Sequence, residues 1–284
     1  MIERRPVLDF FSHLVLILGV LVVMFPVLVA LIGSTQTADQ IASSHPLSLV
    51  PGHNFLHTYQ LALFGGKTAS GSTIAAALPM LWVSLVSALV IAIGKIAISL
   101  LSAFAIVYFR FPLRNLVFWM IFVTLMLPVE VRIGPTYQVV SDLGMLNTYA
   151  GLTVPLIASA TATFLFRQFF LTVPDELAEA ARMDGAGPMR FFVDVLLPLS
   201  RTTIAALFVI QFIYGWNQYL WPLLVTTSES MYPIVLGIKR AIFGEVYVEW
   251  NVVMATSILA MLPPALVVVL MQKWFVKGLV DVEK

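Results

Sequence analysis

Charged residues along this chain fall in a few clusters, and between them lie six long apolar windows. The windows run Leu14 to Ile32, Leu85 to Tyr108, Leu116 to Ile133, Leu152 to Phe170, Ile204 to Val225 and Val252 to Trp274. A bilayer core about 30 Å thick is crossed by about 20 residues of α-helix, so each window predicts one membrane-spanning helix. The apolar stretch Ile74 to Trp82 would make the second span too long if joined to it, and reads as an interfacial helix or a preformed extension. The first window contains Pro26 and follows the charged flank MIERR, as a secretory signal would. It lacks a small-residue cleavage site and is long enough to span, so it is read as a helix.

Composition turns this pattern into a class. The 284 residues are 60% hydrophobic and 11% charged, with a mean hydropathy of +0.96. A soluble domain carries roughly 25% charged residues. The chain reads as an all-α polytopic membrane protein, one transmembrane domain over residues 1–284. Lysine and arginine set its orientation by the positive-inside rule. With the N-terminus inside, 11 of the 16 cations lie on the inner face, from Arg4 and Arg5 to Lys277 and Lys284. Lys67, Arg132, Lys239 and Arg240 lie outside, and Lys95 lies within a span. Both termini are therefore expected in the cytoplasm. A net charge of +1 gives no basic footprint for nucleic acid, and no such partner is expected.

Catalytic chemistry is hard to find. There is no cysteine, which removes disulfides and thiol-metal sites, and no HExxH or GxSxG occurs. His13, His45, His53 and His57 show no metal spacing, and His53 and His57 read as loop residues beside Gly52. The stretch GGKTASGST imitates half of a phosphate-binding loop, but Leu61 stands where the first glycine of that motif belongs. It is read as a flexible part of the long outer connection from Gly33 to Thr73. No catalytic residue, no metal ligand and no cofactor of its own are expected.

One segment breaks the apolar pattern. Residues 174–200 form a cytoplasmic loop that, with Arg201, carries eight charged residues. Pro174 suits a helix start, Asp175 and Glu176 its positive dipole end, Arg182 its last turn and Gly185 its stop. Leu177, Ala180, Ala181 and Asp184 fall at helical spacing, so the two alanines offer a bare strip of backbone for close approach, while Glu176, Glu179 and Met183 point elsewhere. Pro188 can start a second helix with Phe191, Phe192, Val195 and Leu196 on one apolar face, ended or bent by Pro198. Such large apolar residues are exposed unless something covers them, which fits either a docking element or a connector packed on its own membrane helices.

The loop also carries a motif: Glu179, Ala180 and Ala181, then Gly185, then Val195, Leu197 and Pro198. This resembles the cytoplasmic EAA motif of ATP-binding-cassette importer permeases, with Val195 in place of isoleucine. The resemblance implies a type I importer permease fold with six transmembrane helices in the bacterial inner membrane. It also implies that the coupling helix, through Glu179, Ala180, Ala181, Asp184, Gly185, Leu197 and Pro198, docks on an ATPase. The partners it implies are a homologous second permease, two copies of the ATPase subunit, an extracytoplasmic substrate-binding protein and the lipid bilayer. ATP and Mg would be used by the ATPase alone, so this chain would be a transport subunit and not an enzyme. The segments WNQYLWP and LPPALVVVLMQKWFVKGL resemble the carbohydrate-type group that contains the maltose importer. FRFPLRN, LMLPVEVRI, SATATFLFRQFF and the ending GLVDVEK resemble the second permeases of sn-glycerol-3-phosphate importers. That likeness implies uptake of glycerol phosphate, with glycerophosphodiesters beside it; the alternatives are a sugar importer permease and, as the rival class, an ATP-independent carrier whose site would be Lys95 and the polar stripe of the fifth window. In the maltose group the sugar site belongs to the other permease, so this subunit is also compatible with sealing the path without binding substrate.

Ionisable and polar residues at membrane depth are functional candidates, because placing a charge there costs about 2.5 to 3.5 kcal/mol on insertion scales. Lys95 is the clearest, and it fits either attraction of a phosphate or a structural role, paired with a partner permease or snorkelling outward. Gln211, Tyr214, Asn217 and Gln218 make the fifth window unusually polar, and Gln211, Tyr214 and Gln218 share one helical face. They read as lining a substrate pathway, while Trp216, Tyr219 and Trp221 are equally suited to an aromatic belt at the outer surface. Glu130 and Arg132, just after Pro128, do not face each other on a helix and fit gate contacts or interfacial anchoring.

Overall fold

The computed structural model describes residues 6–44, 48–68, 71–124, 129–244 and 247–280. Arg4, Arg5, Pro128 and Lys284 lie outside the described residues, and the side chains of Glu130 and Lys277 are not among those described. The elements run α1 (Pro6–Gly33), α2 (Ala38–Ser43), α3 (Phe55–Phe64), β1 (Gly66–Lys67), β2 (Thr73–Ile74), α4 (Ala77–Tyr108) and α5 (Arg114–Val123). Next come α6 (Val129–Asp142), α7 (Tyr149–Thr153), a 3-10 turn (Val154–Leu156), α8 (Ala160–Phe170), α9 (Asp175–Met183) and α10 (Pro188–Phe191). A π turn (Phe192–Leu196) leads into α11 (Leu197–Leu199), α12 (Arg201–Trp216) and α13 (Leu220–Val225). After a 3-10 turn at Glu229–Met231, the chain ends in α14 (Ile234–Phe243) and α15 (Trp250–Val280).

Among the described residues, three helices are long and apolar enough to cross a bilayer: Phe10–Gly33, Ala77–Tyr108 and Trp250–Lys273. They match the first, second and sixth windows. Of the two readings of Ile74 to Trp82, the extension of the second span holds and the separate interfacial helix does not, since α4 runs unbroken from Ala77 while Ile74 belongs to β2. The other three windows are interrupted. The third holds the ten-residue α5 and the start of the more polar α6. The fourth is a pair of helices, Tyr149–Leu156 and Ala160–Phe170, bent by 46°. The fifth, read as one span, breaks after Trp216, where Asn217 caps α12, and resumes as α13.

The chain packs as two compact units. The first comprises Met1–Pro79 and Gly237–Leu262. Its small core gathers Ala62, Val252 and Ala255 with Tyr59, Leu61, Ile74 and Leu259. Gly33 sits so close to Met254 that a side chain there would overlap the thioether. The long connection between α1 and α4 is more ordered than the sequence suggests. The Gln36 amide donates to the Ser48 and Val50 carbonyls at 3.0 and 2.7 Å, His57 lies on α3, and the GGKTASGST stretch pairs Gly66 with Ile74 and Lys67 with Thr73 in an antiparallel hairpin.

The second unit comprises Met80–Leu236 and Pro263–Lys284 and carries the candidate sites. One cluster joins Ile96, Leu100, Ala103 and Phe104 of α4 to Phe166 and Phe170 of α8, and to Phe191, Phe192 and Leu196 beyond the glycine turn. Another joins Val83, Val140, Leu152, Trp221 and Val225. Within it the buried Trp221 indole donates to the Gly151 carbonyl at 3.0 Å.

Candidate functional site

The charged loop folds as the sequence proposes at its turn. α9 is nine residues long, with Asp175 and Glu176 in its first turn and Arg182 in its last. At its end the Gly185 N–H donates to the Arg182 carbonyl (3.0 Å) and the Ala186 N–H to the Ala181 carbonyl (2.8 Å). This crossed pair is a Schellman cap, and its geometry demands a left-handed residue at Gly185, where φ is +75°. The spacing from Ala181 to Gly185 is thus the spacing between the residue that receives the outer bond of the cap and the glycine that turns the chain. Nothing lies within 4 Å of where a Gly185 side chain would begin.

Two expectations for the loop are corrected. The alanine pair is not a single free strip: Ala178 is buried and Ala181 half-buried against the Phe104 and Phe166 cluster, whereas Ala180 and Glu179 are exposed. A 3.6-residue period puts positions 178 and 181 on the inner face, and only the identity of the packing partner reveals which face that is. The second correction removes only one of the two readings of Phe191, Phe192 and Leu196, the exposed docking face, and bears out the other, a connector packed on its own helices. These residues are covered by their own chain, Leu196 completely, with Val195 packed beside them. Met183 (83% exposed), Leu177, Asp184, Met189 and Val193 form the free surface instead.

Pro198 neither ends the second helix nor breaks it at once. The Leu197 N–H reaches back five residues to the Phe192 carbonyl, a widened π turn that makes room for a proline ring with no N–H to give. The chain then turns by 73° into α12 at Ser200, whose hydroxyl donates to the Leu196 carbonyl at 2.6 Å. Between the end of α4 and this loop lies a cavity of about 200 Å³, lined by Tyr108, Arg110, Ala178, Arg182 and Phe191 among others. Ala178 was not among the residues the sequence singled out, and Arg182 was read only as a residue of the helix's last turn.

The second candidate site is a polar seam between α4 and α12. Lys95 is only 6% exposed, and its Nζ lies 3.6 Å from the centre of the Tyr214 ring. An ammonium over an aromatic face is held by the ring quadrupole. Gln211, one turn before Tyr214, is buried as well. On α4, Ser84, Ser87, Lys95 and Ser99 recur near helical spacing. Ser84 accepts the Ile234 N–H at 2.8 Å and Ser99 donates to the Ser159 carbonyl at 3.3 Å, while the buried Ser87 hydroxyl has no hydrogen-bond partner. Gly215 lets the two helices approach closely, since a side chain there would meet the Ala88 Cα at 3.0 Å.

Asn217 and Gln218 do not join this seam. Asn217 is exposed at the end of α12, and the half-buried Gln218 donates its amide to the Tyr214 carbonyl at 3.0 Å. Trp216 and Trp221 are buried, so they form no belt at an outer surface. Arg132 is exposed on α6. The serines of α4 escaped notice because single hydroxyls scattered over 16 residues do not lower the hydropathy of an apolar window.

The description "Binding-protein-dependent transport system inner membrane component" matches residues 95–281. The chain is 59% identical over 286 residues to the sn-glycerol-3-phosphate transport system permease protein UgpE of Brucella melitensis, covering 100% of both. The proteins of that name from Agrobacterium fabrum and Escherichia coli are 59% and 57% identical, again over 100% of each chain. Among solved structures, that of a bacterial ABC transporter involved in the import of the acidic polysaccharide alginate superposes with a TM-score of 0.76. It is 20% identical and the match covers 97% of this chain and 99% of that one. At this identity the likeness establishes the fold.

Proposed function

Because the chain belongs to the binding-protein-dependent transport system inner membrane components, we propose that it forms half of an ATP-driven translocation path whose cargo is sn-glycerol 3-phosphate. It is a permease subunit of an ABC importer, a transport component and not an enzyme. The cargo rests on one observation: relatives named for this substrate share 57% to 59% of their residues with the chain from end to end. In this reading six spans cross the inner membrane, three of them continuous and three interrupted, with both termini in the cytoplasm. A homologous permease completes the path, two ATPase subunits bind the charged loops, and a binding protein delivers cargo from outside. ATP and Mg act on the ATPase.

The steps follow from the loop. When the ATPases close on ATP, the exposed face of α9 (Leu177, Glu179, Ala180, Asp184) moves with them, and Gly185 holds its turn rigidly. The motion passes inward through Ala178, Ala181, Leu196, Leu197 and Pro198 as rigid-body displacement. The pathway side is the Lys95 seam. Its ammonium rests on the Tyr214 ring, with no carboxylate partner among the described residues, a contact an arriving phosphate can replace. Gln211 and Tyr214 offer amide and hydroxyl groups beside it, and Asn217 and Gln218 stand at the end of the same helix.

The test is uptake of labelled sn-glycerol 3-phosphate by vesicles containing the full assembly, with maltose-type sugars as competitors and Lys95→Ala in parallel. Saturable, ATP-dependent uptake undisturbed by sugars is expected, and it is lost in Lys95→Ala while the ATPase stays assembled. An assembly whose ATPase responds to its binding protein but takes up no glycerol phosphate refutes the cargo.

A further inference from the structure

Beside the charged loop, α5 and α8 pack together around an opening that contains no residue of the Lys95 seam. It has a volume of about 390 Å³ and is lined by Asn115, Phe118, Trp119, Phe122, Phe164, Arg167 and Gln168. The floor is aromatic: Phe118 stacks with Phe164 at 6.5 Å between ring centres, and Phe122 meets Phe164 at 5.5 Å. The polar groups are Asn115, Arg167 and Gln168. The guanidinium carbon of Arg167 lies 4.1 Å from the centre of the Phe118 ring, and its buried Nε has no hydrogen-bond partner among the described residues. An arginine stacked in this way keeps its planar fork free for an acceptor, and a buried N–H without one is an unmet demand.

Charge and surroundings define the acceptor. Residues 109–124 and 160–173 contain three arginines, Arg110, Arg114 and Arg167, and no aspartate, glutamate or lysine. Arg110, Arg114 and Asn115 line a second, open cavity, so Asn115 links the two. Leu116, Trp119, Met120 and Val123 on α5 are all at least half exposed. Arg167 lies in the last turn of α8, seven residues before Pro174, where the chain leads into the charged loop. A positive, fork-shaped pocket with an exposed apolar helix at its side suits a molecule with a phosphate head and acyl chains. Basic pockets between membrane helices recognise anionic lipids by this combination.

We propose that the α5–α8 pocket binds the phosphate headgroup of an anionic phospholipid through Arg167, with Asn115 and Gln168 as further polar contacts and the acyl chains lying along α5. Free phosphate shares the headgroup chemistry, but the exposed apolar face of α5 favours the lipid.

The assembled transporter, purified with its own lipids, is to be compared by native mass spectrometry in three forms: wild type, Arg167→Gln and Asn115→Asp. Wild type retains phosphatidylglycerol in preference to phosphatidylcholine. Arg167→Gln lowers that retention about tenfold, the scale of one charge-assisted hydrogen bond. Asn115→Asp, an exposed change that leaves the packing intact, lowers it as well by placing a carboxylate at the pocket. Equal retention in all three forms overturns the proposal, as does equal retention of the two lipids. Displacement of the lipid by soluble glycerol phosphate assigns the pocket to a solute and overturns it too. In the cysteine-free chain, a Trp119→Cys thiol shielded by the second permease even without lipid makes this face a protein interface, which is likewise incompatible with it.

Discussion

Replacing Gly185 separates the strain of a turn from the crowding of a docking surface. Its φ of +75° is open to glycine, tolerated by asparagine and aspartate and strained for other residues. The left-handed conformation costs a residue with a Cβ roughly 1 to 2 kcal/mol. Because nothing in the chain lies within 4 Å of the added atom, no internal clash adds to that cost. Spent on the Schellman cap alone, 1 to 2 kcal/mol shifts capped against frayed loop by a factor of roughly 5 to 30. Gly185→Asn is therefore expected to keep most of the uptake, Gly185→Ala to lose part of it, and Gly185→Val, which adds branching to strain, to lose nearly all. Gly185→Asp, tolerant of the backbone but charged, isolates crowding of the ATPase surface. The assay is ATP-dependent uptake by reconstituted vesicles, with ATP hydrolysis measured in the same preparation. Uptake that is the same for Asn, Ala and Val refutes the view that the capped turn transmits motion. Loss of uptake for Asp with Asn unaffected places the damage at the partner surface.

Other expectations concern the packing around the sites. Trp221→Phe removes the indole donor to the Gly151 carbonyl and is expected to cost about 1 to 3 kcal/mol. A lower Tm of the purified assembly checks this, and an unchanged Tm contradicts it. Asn147, at φ +56°, accepts the Thr227 and Ser228 N–H groups at 2.7 and 2.9 Å and donates to the Thr227 hydroxyl at 2.9 Å. Asn147→Asp keeps both acceptor bonds and should resist limited proteolysis near Thr227, whereas Asn147→Ala should be cut several-fold faster. The Tyr247 phenol, hydrogen-bonded to Asp39 at 3.1 Å, is raised above its ordinary value of 10, first by that bond and then by lesser desolvation and charge effects. A raised phenol stabilises the folded form below pH 10 and stops doing so as pH rises through its folded value. Ultraviolet titration, read as the difference from Tyr247→Phe, should show its midpoint fall toward 10 in Asp39→Ala.

Sequence and structure agree where one physical rule acts alone. α1, α4 and α15 are long, apolar and uninterrupted, so average hydropathy finds them. It misses the breaks, because a window of about 20 residues averages over a turn. Pro155 and Ser159 lie inside the fourth window and Asn217 inside the fifth, each among enough apolar neighbours to hide the bend. The EAA spacing is legible because it reflects a local hydrogen-bond pattern between residues 181 and 186. The burial of Ala178 and Phe191 is not, because it depends on Phe104 and Phe166, which are far away in sequence and reach the loop only through packing. Lys95 stands out as a charge among apolar residues, but Tyr214 as the group beneath it requires the register of two helices.

That register bears on how the loop and the seam communicate. Both lie on α4. Phe104 and Tyr108, near its end, form ring pairs with Phe192 and Phe191 at 4.9 and 5.2 Å. Lys95 lies nine residues before Phe104, about 13 Å along the axis at 1.5 Å per residue. Between these points the helix has no proline or kink to absorb a displacement, and its inner face is packed by Ile96, Leu100 and Ala103. Gly94 is pressed against Ile157, where a side chain would come within 2.8 to 3.1 Å of three carbons. A push on α9 must therefore shift α4 as a rod or slide it past its neighbours, because close-packed interiors do not compress. The α12 side of the seam is tied to the same loop through Ser200 and the 73° bend. In the proposed mechanism, loop motion would reach Lys95 and Tyr214 along two different helices, and any difference between those two paths would alter the contact of 3.6 Å between ammonium and ring. A site built across that contact would then open and close with the loop without any hinge of its own.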